Sequence, residues 1–274
     1  MVIEEDKLHI FNNLLNIMVQ LRDPENGCEW DKSQDSYSIR KYCIEESYEV
    51  VDSIEKNDTT GLREELGDLL FQIIFHAQIN KEKGNFDIFD IMYDLCKKMT
   101  RRHPHVFENN NKKKINKEEI IASWEKIKEK ERIKDGKTGI LSDIPTTFPA
   151  ITRSIKIQKR AAQNGFDWDN NQEVFNKIIE ETEELNQAVN DGNDKNIDEE
   201  IGDLLFSIIN LSRKLKIDPE SSLRSTNKKF CDRISYIENK LEEVNKKFNE
   251  TDLSILEDIW IESKDKIKQE VLLK

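Results

Sequence analysis

Apolar residues recur three and four positions apart through almost the whole chain, and the strict alternation of a half-buried strand is absent. In the first half this pattern predicts helices near 5–21, 37–56, 60–82, 87–101 and 117–134, with Gly84 placed to cap the third of them. In the second half it predicts helices near 149–163, 171–190, 195–215, 219–247 and 252–271. Between the halves, Gly136, Gly139, Pro145 and Pro149 oppose a continuing helix. The expectation is an all-α protein with one domain over 1–135, a linker over 136–148 and a second domain over 149–274.

The polar positions show that the two halves are copies. Glu45-Glu46-x-x-Glu49 is followed by Glu65-x-x-Asp68, and Glu180-Glu181-x-x-Glu184 is followed by Glu200-x-x-Asp203. In both, the second cluster opens sixteen positions after the first one ends. Gly27-Cys28-Glu29-Trp30-Asp31 with Gln34 matches Gly165-Phe166-Asp167-Trp168-Asp169 with Gln172. Lys98 and Arg102 match Lys229 and Arg233, and Trp124 and Lys128 match Trp260 and Lys264. Six features kept in one order mark a tandem repeat.

Helical geometry gives the acids a purpose. Glu180, Glu181 and Glu184 fall on one side of a helix, next to the sector of Val174, Ile178, Leu185 and Val189. Glu200 and Asp203 lie one turn apart beside Leu204, Leu205, Ile208 and Ile209, and a turn at Asp191–Asp194 lets the two helices pack antiparallel. Carboxylates gathered beside an apolar surface disfavour one another's ionisation, so such a cage is stable when a cation sits in it. Oxygen donors of this kind select a hard ion, Mg²⁺ or alternatively Mn²⁺. A solvated acidic face is the plain alternative for either copy alone; the repeated spacing argues against it.

Composition narrows the functional classes. The net charge is −12, which disfavours a nucleic-acid binder, though a metal-neutralised phosphate ligand stays compatible with it. The four cysteines form no Cys-x-x-Cys pair and suggest neither zinc nor a disulfide framework. No leader-like or membrane-spanning apolar run is evident, so a cytoplasmic protein is expected. No Gly-x-x-x-x-Gly-Lys-Ser/Thr loop is present to cradle a γ-phosphate. Lys112-Lys113-Lys114 reads as a solvated loop, and His103 and His105, flanking Pro104, as loop packing rather than zinc ligation.

The acidic clusters, with Gly27-Cys28-x-Trp30-Asp31 ahead of them and Arg101-Arg102-His103-Pro104-His105-Val106-Phe107 behind, resemble the MazG nucleoside triphosphate pyrophosphohydrolases in their tandem form. Glu29 departs from the family, where Pro is common. The resemblance implies four-helix catalytic cores that bind Mg²⁺, usually in a homodimer, and hydrolysis of nucleoside triphosphates to monophosphate and pyrophosphate. Carried onto this chain, it makes Glu181, Glu184, Glu200 and Asp203 the metal ligands, with Glu46, Glu49, Glu65 and Asp68 as their first-half counterparts.

Water attack on the α-phosphorus builds negative charge on phosphate oxygens, which carboxylate-held divalent ions and basic side chains offset. Glu180 is the candidate general base. Lys229, Arg233 and Lys264 are candidate phosphate contacts, and Phe230 and Trp260 candidate surfaces for base or sugar; a solvated charge or core packing is the plain alternative for each. Trp30 and Trp168 are read as anchors of the loop ahead of the acidic helix. The second half, with Phe230 where the first has Met99, is expected to carry most turnover. Rival readings are a dUTPase or phosphoribosyl-ATP pyrophosphohydrolase of narrow specificity, a non-catalytic nucleotide-sensing module and a purely structural bundle.

Overall fold

A computed structural model describes residues 2–108, 116–137 and 139–272; the lysine run at 112–114 lies outside them. The described residues form helices and turns, with no strand among them. The chain divides into two compact units, Met1–Lys128 and Glu129–Lys274.

In unit 1, α1 (Val2–Leu21) leads through a turn to the short α2 (Glu29–Ser33), then to α3 (Ser36–Glu55) and α4 (Thr59–Glu82). α5 (Ile88–Arg102), α6 (Pro104–Phe107) and α7 (Lys117–Lys134) follow, α7 running on past the division between the units. The starts are set by local chemistry: Asp35, Asp58 and Asp87 each accept hydrogen bonds from backbone N–H groups of the first turn they cap. Gly84, at φ +70°, ends α4 as the sequence anticipates. α3 and α4 pack together over a core of Met18, Ile39, Ile74, Phe75, Ala77, Ile79 and Ile88.

Unit 2 repeats the plan. α8 (Ala150–Gln163) precedes α9 (Asn171–Asp191) and α10 (Asp194–Lys214), which pack along each other, and α11 (Pro219–Glu243) packs against α12 (Leu253–Leu272). Gly192, at φ +65°, closes α9, and Asn193 then accepts from Asn196 N–H to begin α10, so two residues make the reversal between the acidic helices. The sequence pattern runs α11 on to 247; it ends at Glu243 because Asn245 turns to φ +53° and Lys246 N–H bonds back to the Leu241 carbonyl. The short helices α2 and α6 are also absent from the periodicity reading.

Two carboxylate clusters and one adjoining cavity

The reversal between α3 and α4 brings Glu46, Glu49 and Glu65 together, and that between α9 and α10 does the same for Glu181, Glu184 and Glu200. In each trio one carboxylate oxygen per residue lies within 4.8 Å of the others. Asp68 and Asp203 stand outside these trios, yet Asp68 acts electrostatically on Glu46 and Glu65, and Asp203 on Glu200. Three of each predicted four are thus gathered, with the shorter aspartate adjacent.

The trios have the electrostatics expected of a cation site. Desolvation, then the charges of Glu49 and Asp68, holds the Glu46 carboxyl above the usual range. Glu65 is raised by desolvation and the Glu49 charge, and Glu200 by desolvation and the Glu184 charge. An all-oxygen donor set whose charges oppose one another fits a hard divalent ion.

The surroundings differ between the units. Glu181 is only 4% exposed, and Lys177, one turn before it, places its ammonium 2.7 Å from Glu181 and 2.8 Å from Glu180. Those two carboxylates hold Lys177 well above the usual ammonium range. Glu180, the candidate base, is exposed and outside the trio. At the position of Lys177, unit 1 has Tyr42.

A cavity of about 800 Å³ opens beside the unit 2 trio, and Glu181 and Asp203 form part of its lining. Its apolar wall includes Ile157, Trp168 and Phe206; Gln158, Ser207 and Asn210 are its uncharged polar positions, and Asp167, Lys177 and Arg213 add charge. Ile140 and Leu141, from the segment read as a linker, complete the wall. They are fixed because Arg160 donates to the Ile140 carbonyl at 3.1 Å and to Asp143 Oδ1 at 2.7 Å. The Trp168 loop is tied to α10 by Lys214, which donates to the Trp168 carbonyl, and by the Arg213–Asp167 ion pair. The loop is thus tied down at the Trp168 backbone and at Asp167, and the Trp168 ring also lines the cavity.

The same positions in unit 1, 135 residues earlier, hold an aromatic plug. Asn210 corresponds to Phe75, Ser207 to Gln72 and Lys177 to Tyr42. Phe75 is 1% exposed, with ring centroids 6.0 Å from Phe71 and 6.4 Å from Trp30; Trp30 lies 6.2 Å from Tyr42. A cavity of about 390 Å³ in this unit is lined by α1, α4 and the start of α5, and by none of the trio.

The other candidates form a separate cluster. The Arg233 guanidinium lies 5.0 Å over the Trp260 ring, which lies 5.3 Å from Phe230, and Arg233 Nε is buried with no partner. Lys229 and Lys264 are exposed. None of these five lines the cavity. In unit 1 the matching Trp124 instead meets His103, ring to ring at 4.8 Å, and His103 Nδ1 is 2.7 Å from the Met99 carbonyl, the packing role expected of it.

Lys177, Gln158, Asn210 and the 139–144 turn were not singled out from the sequence. Only Lys177 carried a local signal, its i, i+4 spacing to Glu181.

A helical chain with an acidic helix pair present in two copies defines a class of all-α proteins with clustered carboxylates. Known proteins narrow it further. The MazG nucleotide pyrophosphohydrolase domain matches residues 34–107 and 169–237. The chain is 44% identical over 253 residues to the nucleoside triphosphate pyrophosphohydrolase of Escherichia coli, covering 91% of this chain and 95% of that protein. It is 40% identical over 255 residues to the nucleoside triphosphate pyrophosphohydrolase/pyrophosphatase MazG of Thermotoga maritima, covering 93% and 96%. The uncharacterized protein YabN of Bacillus subtilis is 39% identical over 96% of this chain, which spans 54% of YabN. The chain belongs to the MazG family.

Proposed function

We infer that this chain is a hydrolase that splits nucleoside triphosphates between the α- and β-phosphates, giving the monophosphate and pyrophosphate, with Mg²⁺ as its cation. The observation that carries this is the Glu181–Glu184–Glu200 trio, whose Glu181 lines a cavity of nucleoside size together with Asp203. The names of the E. coli and T. maritima relatives support the same reading.

Glu181, Glu184 and Glu200 would hold the cation, with Asp203 drawn in from the cavity side; the cation supplies positive charge where the phosphate oxygens gain negative charge. Lys177 positions Glu181 and offers a second cation at the cavity edge. Glu180, outside the trio, is the group assigned to accept the proton of the attacking water. Arg233, oriented by Trp260, and Lys229 and Lys264 are assigned to the phosphates. In unit 1, Glu46, Glu49, Glu65 and Asp68 are assigned a cation without turnover, because Phe75 and Tyr42 take the place of the cavity's polar lining.

Homodimerisation is part of this reading. Ile44, Leu66, Leu70 and Ile73 on the acidic helices of unit 1 are exposed, as are Ile179, Ile201, Leu205 and Ile208 in unit 2. Gly67 and Gly202 sit mid-helix at a cost of about 1 kcal/mol each, and nothing described lies within 4 Å of where a Cβ would stand. A small residue with free space above it suits a second backbone or a phosphate. Among the described residues no helix is long and apolar enough to cross a membrane.

The deciding experiment is product identification from a panel of canonical and modified triphosphates with Mg²⁺. Equal amounts of monophosphate and pyrophosphate are expected; diphosphate with orthophosphate as primary products would overturn the reading. Activity confined to dUTP or phosphoribosyl-ATP would replace it with the narrow-specificity alternative, and Mg²⁺-dependent binding without turnover with the sensing module.

A further inference from the structure

The cavity beside the unit 2 trio holds a polar pattern that the hydrolytic chemistry leaves unused. Gln158, on α8, is 6% exposed and forms part of the cavity wall. Its Nε2 donates to the Phe206 carbonyl at 2.9 Å. A carbonyl only accepts, so this bond fixes the amide orientation and assigns the other atom as Oε1. That oxygen is buried and has no hydrogen-bond partner. Buried side-chain acceptors are satisfied in the large majority of cases, so an orphan one on a cavity wall calls for a donor from whatever fills the cavity.

Asn210, on α10, complements it. Its Oδ1 accepts from Arg213 Nε at 3.0 Å and Nη2 at 2.8 Å, which leaves Nδ2 as its free donor. Besides the Ser207 hydroxyl and the charged groups of the lining, the wall therefore offers the Gln158 acceptor and the Asn210 donor, and Trp168 and Phe206 add flat apolar surface to it. Every nucleobase presents a neighbouring donor and acceptor on its Watson–Crick edge, together with two apolar faces that stack on aromatic rings.

We propose that this cavity receives the nucleobase of the triphosphate, and that Gln158 Oε1 is the specificity-determining acceptor for an N–H donor on the base's Watson–Crick edge. The proposal rests on the nucleotide reading above and moves the base from Phe230 and Trp260, where the sequence suggested base or sugar, to the cavity that Glu181 and Asp203 help to line. It also accounts for unit 1: with Phe75 in place of Asn210, the donor of the pair is gone and a ring occupies its position.

The test pairs each base with an analogue lacking one donor: ATP against purine riboside triphosphate, and UTP against 3-methyluridine triphosphate. kcat/KM is measured with Mg²⁺ on the full chain and on Gln158→Met, a substitution close in volume, and calorimetry gives the affinities. In the unsubstituted protein at least one analogue should lose about tenfold or more in kcat/KM and in affinity. Gln158→Met should abolish that discrimination, mainly by raising KM for the parent nucleotide. Equal handling of both pairs by the unsubstituted protein would overturn the proposal, whether or not the variant folds. So would an equal loss on all four nucleotides in a variant with an unchanged melting curve, which would make Gln158 a packing residue. If discrimination appears in binding but no pyrophosphate is released, the base contact stands and the hydrolase reading falls.

Discussion

The two units carry the same trio of glutamates on the same pair of helices, and they differ in what stands behind it. In unit 2 Glu181 of the trio lines a cavity together with Asn210, Ser207 and Lys177; in unit 1 the corresponding Phe75 and Tyr42 belong to a packed aromatic cluster, and the corresponding Gln72 is buried. On the proposed function, a cation cage is thus separable from a nucleotide site. The cage needs only the local spacing of acids on two adjoining helices, whereas the nucleotide site needs a void held open by groups distant in sequence. The acidic trio is present in both halves, and a cavity beside it in one.

The comparison breaks most visibly at the carboxylates. Losing a ligand of a catalytic cation removes several kcal/mol of transition-state stabilisation, so Glu181→Gln or Asp203→Ala should cut kcat by about a thousandfold or more. Glu46→Gln or Asp68→Ala, in the plugged unit, should leave most of the activity. Steady-state rates of the four variants on several triphosphates check this, and a larger loss from the unit 1 pair would reverse the assignment of the units.

A second way to sharpen it is to move the plug. Asn210→Phe introduces into unit 2 the ring that unit 1 carries, and should lower kcat/KM by about a hundredfold, mainly through KM, while Mg²⁺ still raises the melting temperature. In unit 1, Phe75→Ala removes a fully buried ring and should cost about 3–5 kcal/mol of stability with little change in turnover. Denaturation and kinetics on the same two variants separate the outcomes: activity lost through Phe75→Ala in a folded protein would mean that unit 1 takes a direct part in the reaction.

The fold and both trios were legible because they are local. Helical periodicity placed ten of the elements within a few residues, and the repeated Glu-Glu-x-x-Glu and Glu-x-x-Asp spacing placed the acids on facing helices. Gln158, Asn210 and the turn bearing Ile140 and Leu141 were not legible, since only the packing of α8 against α10 brings them to one wall. Phe75 escaped for the same reason: in the pattern it is one apolar position among many, and its meaning appears only when it is set against Asn210. The end of α11 at Glu243 was missed because the left-handed turn that follows it uses Asn245, weaker punctuation than Gly.

The smallest expected effect concerns the clamps beside the two trios. Each unit uses the arginine that precedes its Gly-x-x-Trp-Asp motif by five residues. Arg22 reaches the Asp31 and Gln34 carbonyls and Glu82, and Arg160 reaches the Ile140 carbonyl and Asp143. The Asp143 side chain is 19% exposed and that of Glu82 36%, so solvent screens the Asp143 pair less. The hydrogen bond from Arg160 holds the Asp143 carboxyl below the usual range, and that from Arg22 does the same for Glu82. A depressed carboxyl contributes stability that is full above its unfolded pKa and is lost as pH falls through its folded pKa. Asp143→Asn should therefore cost about 1 kcal/mol at neutral pH, with the gap from the unsubstituted protein closing as pH drops below about 4. Glu82→Gln should cost less over a similar window. Because Asp143 helps to fix the turn that carries Ile140 and Leu141, Asp143→Asn should also raise KM a few-fold, while Glu82→Gln leaves it unchanged. Calorimetric melts across that pH range, with KM measured at neutral pH, check both, and equal effects of the two variants on KM would show that the cavity wall does not depend on its clamp.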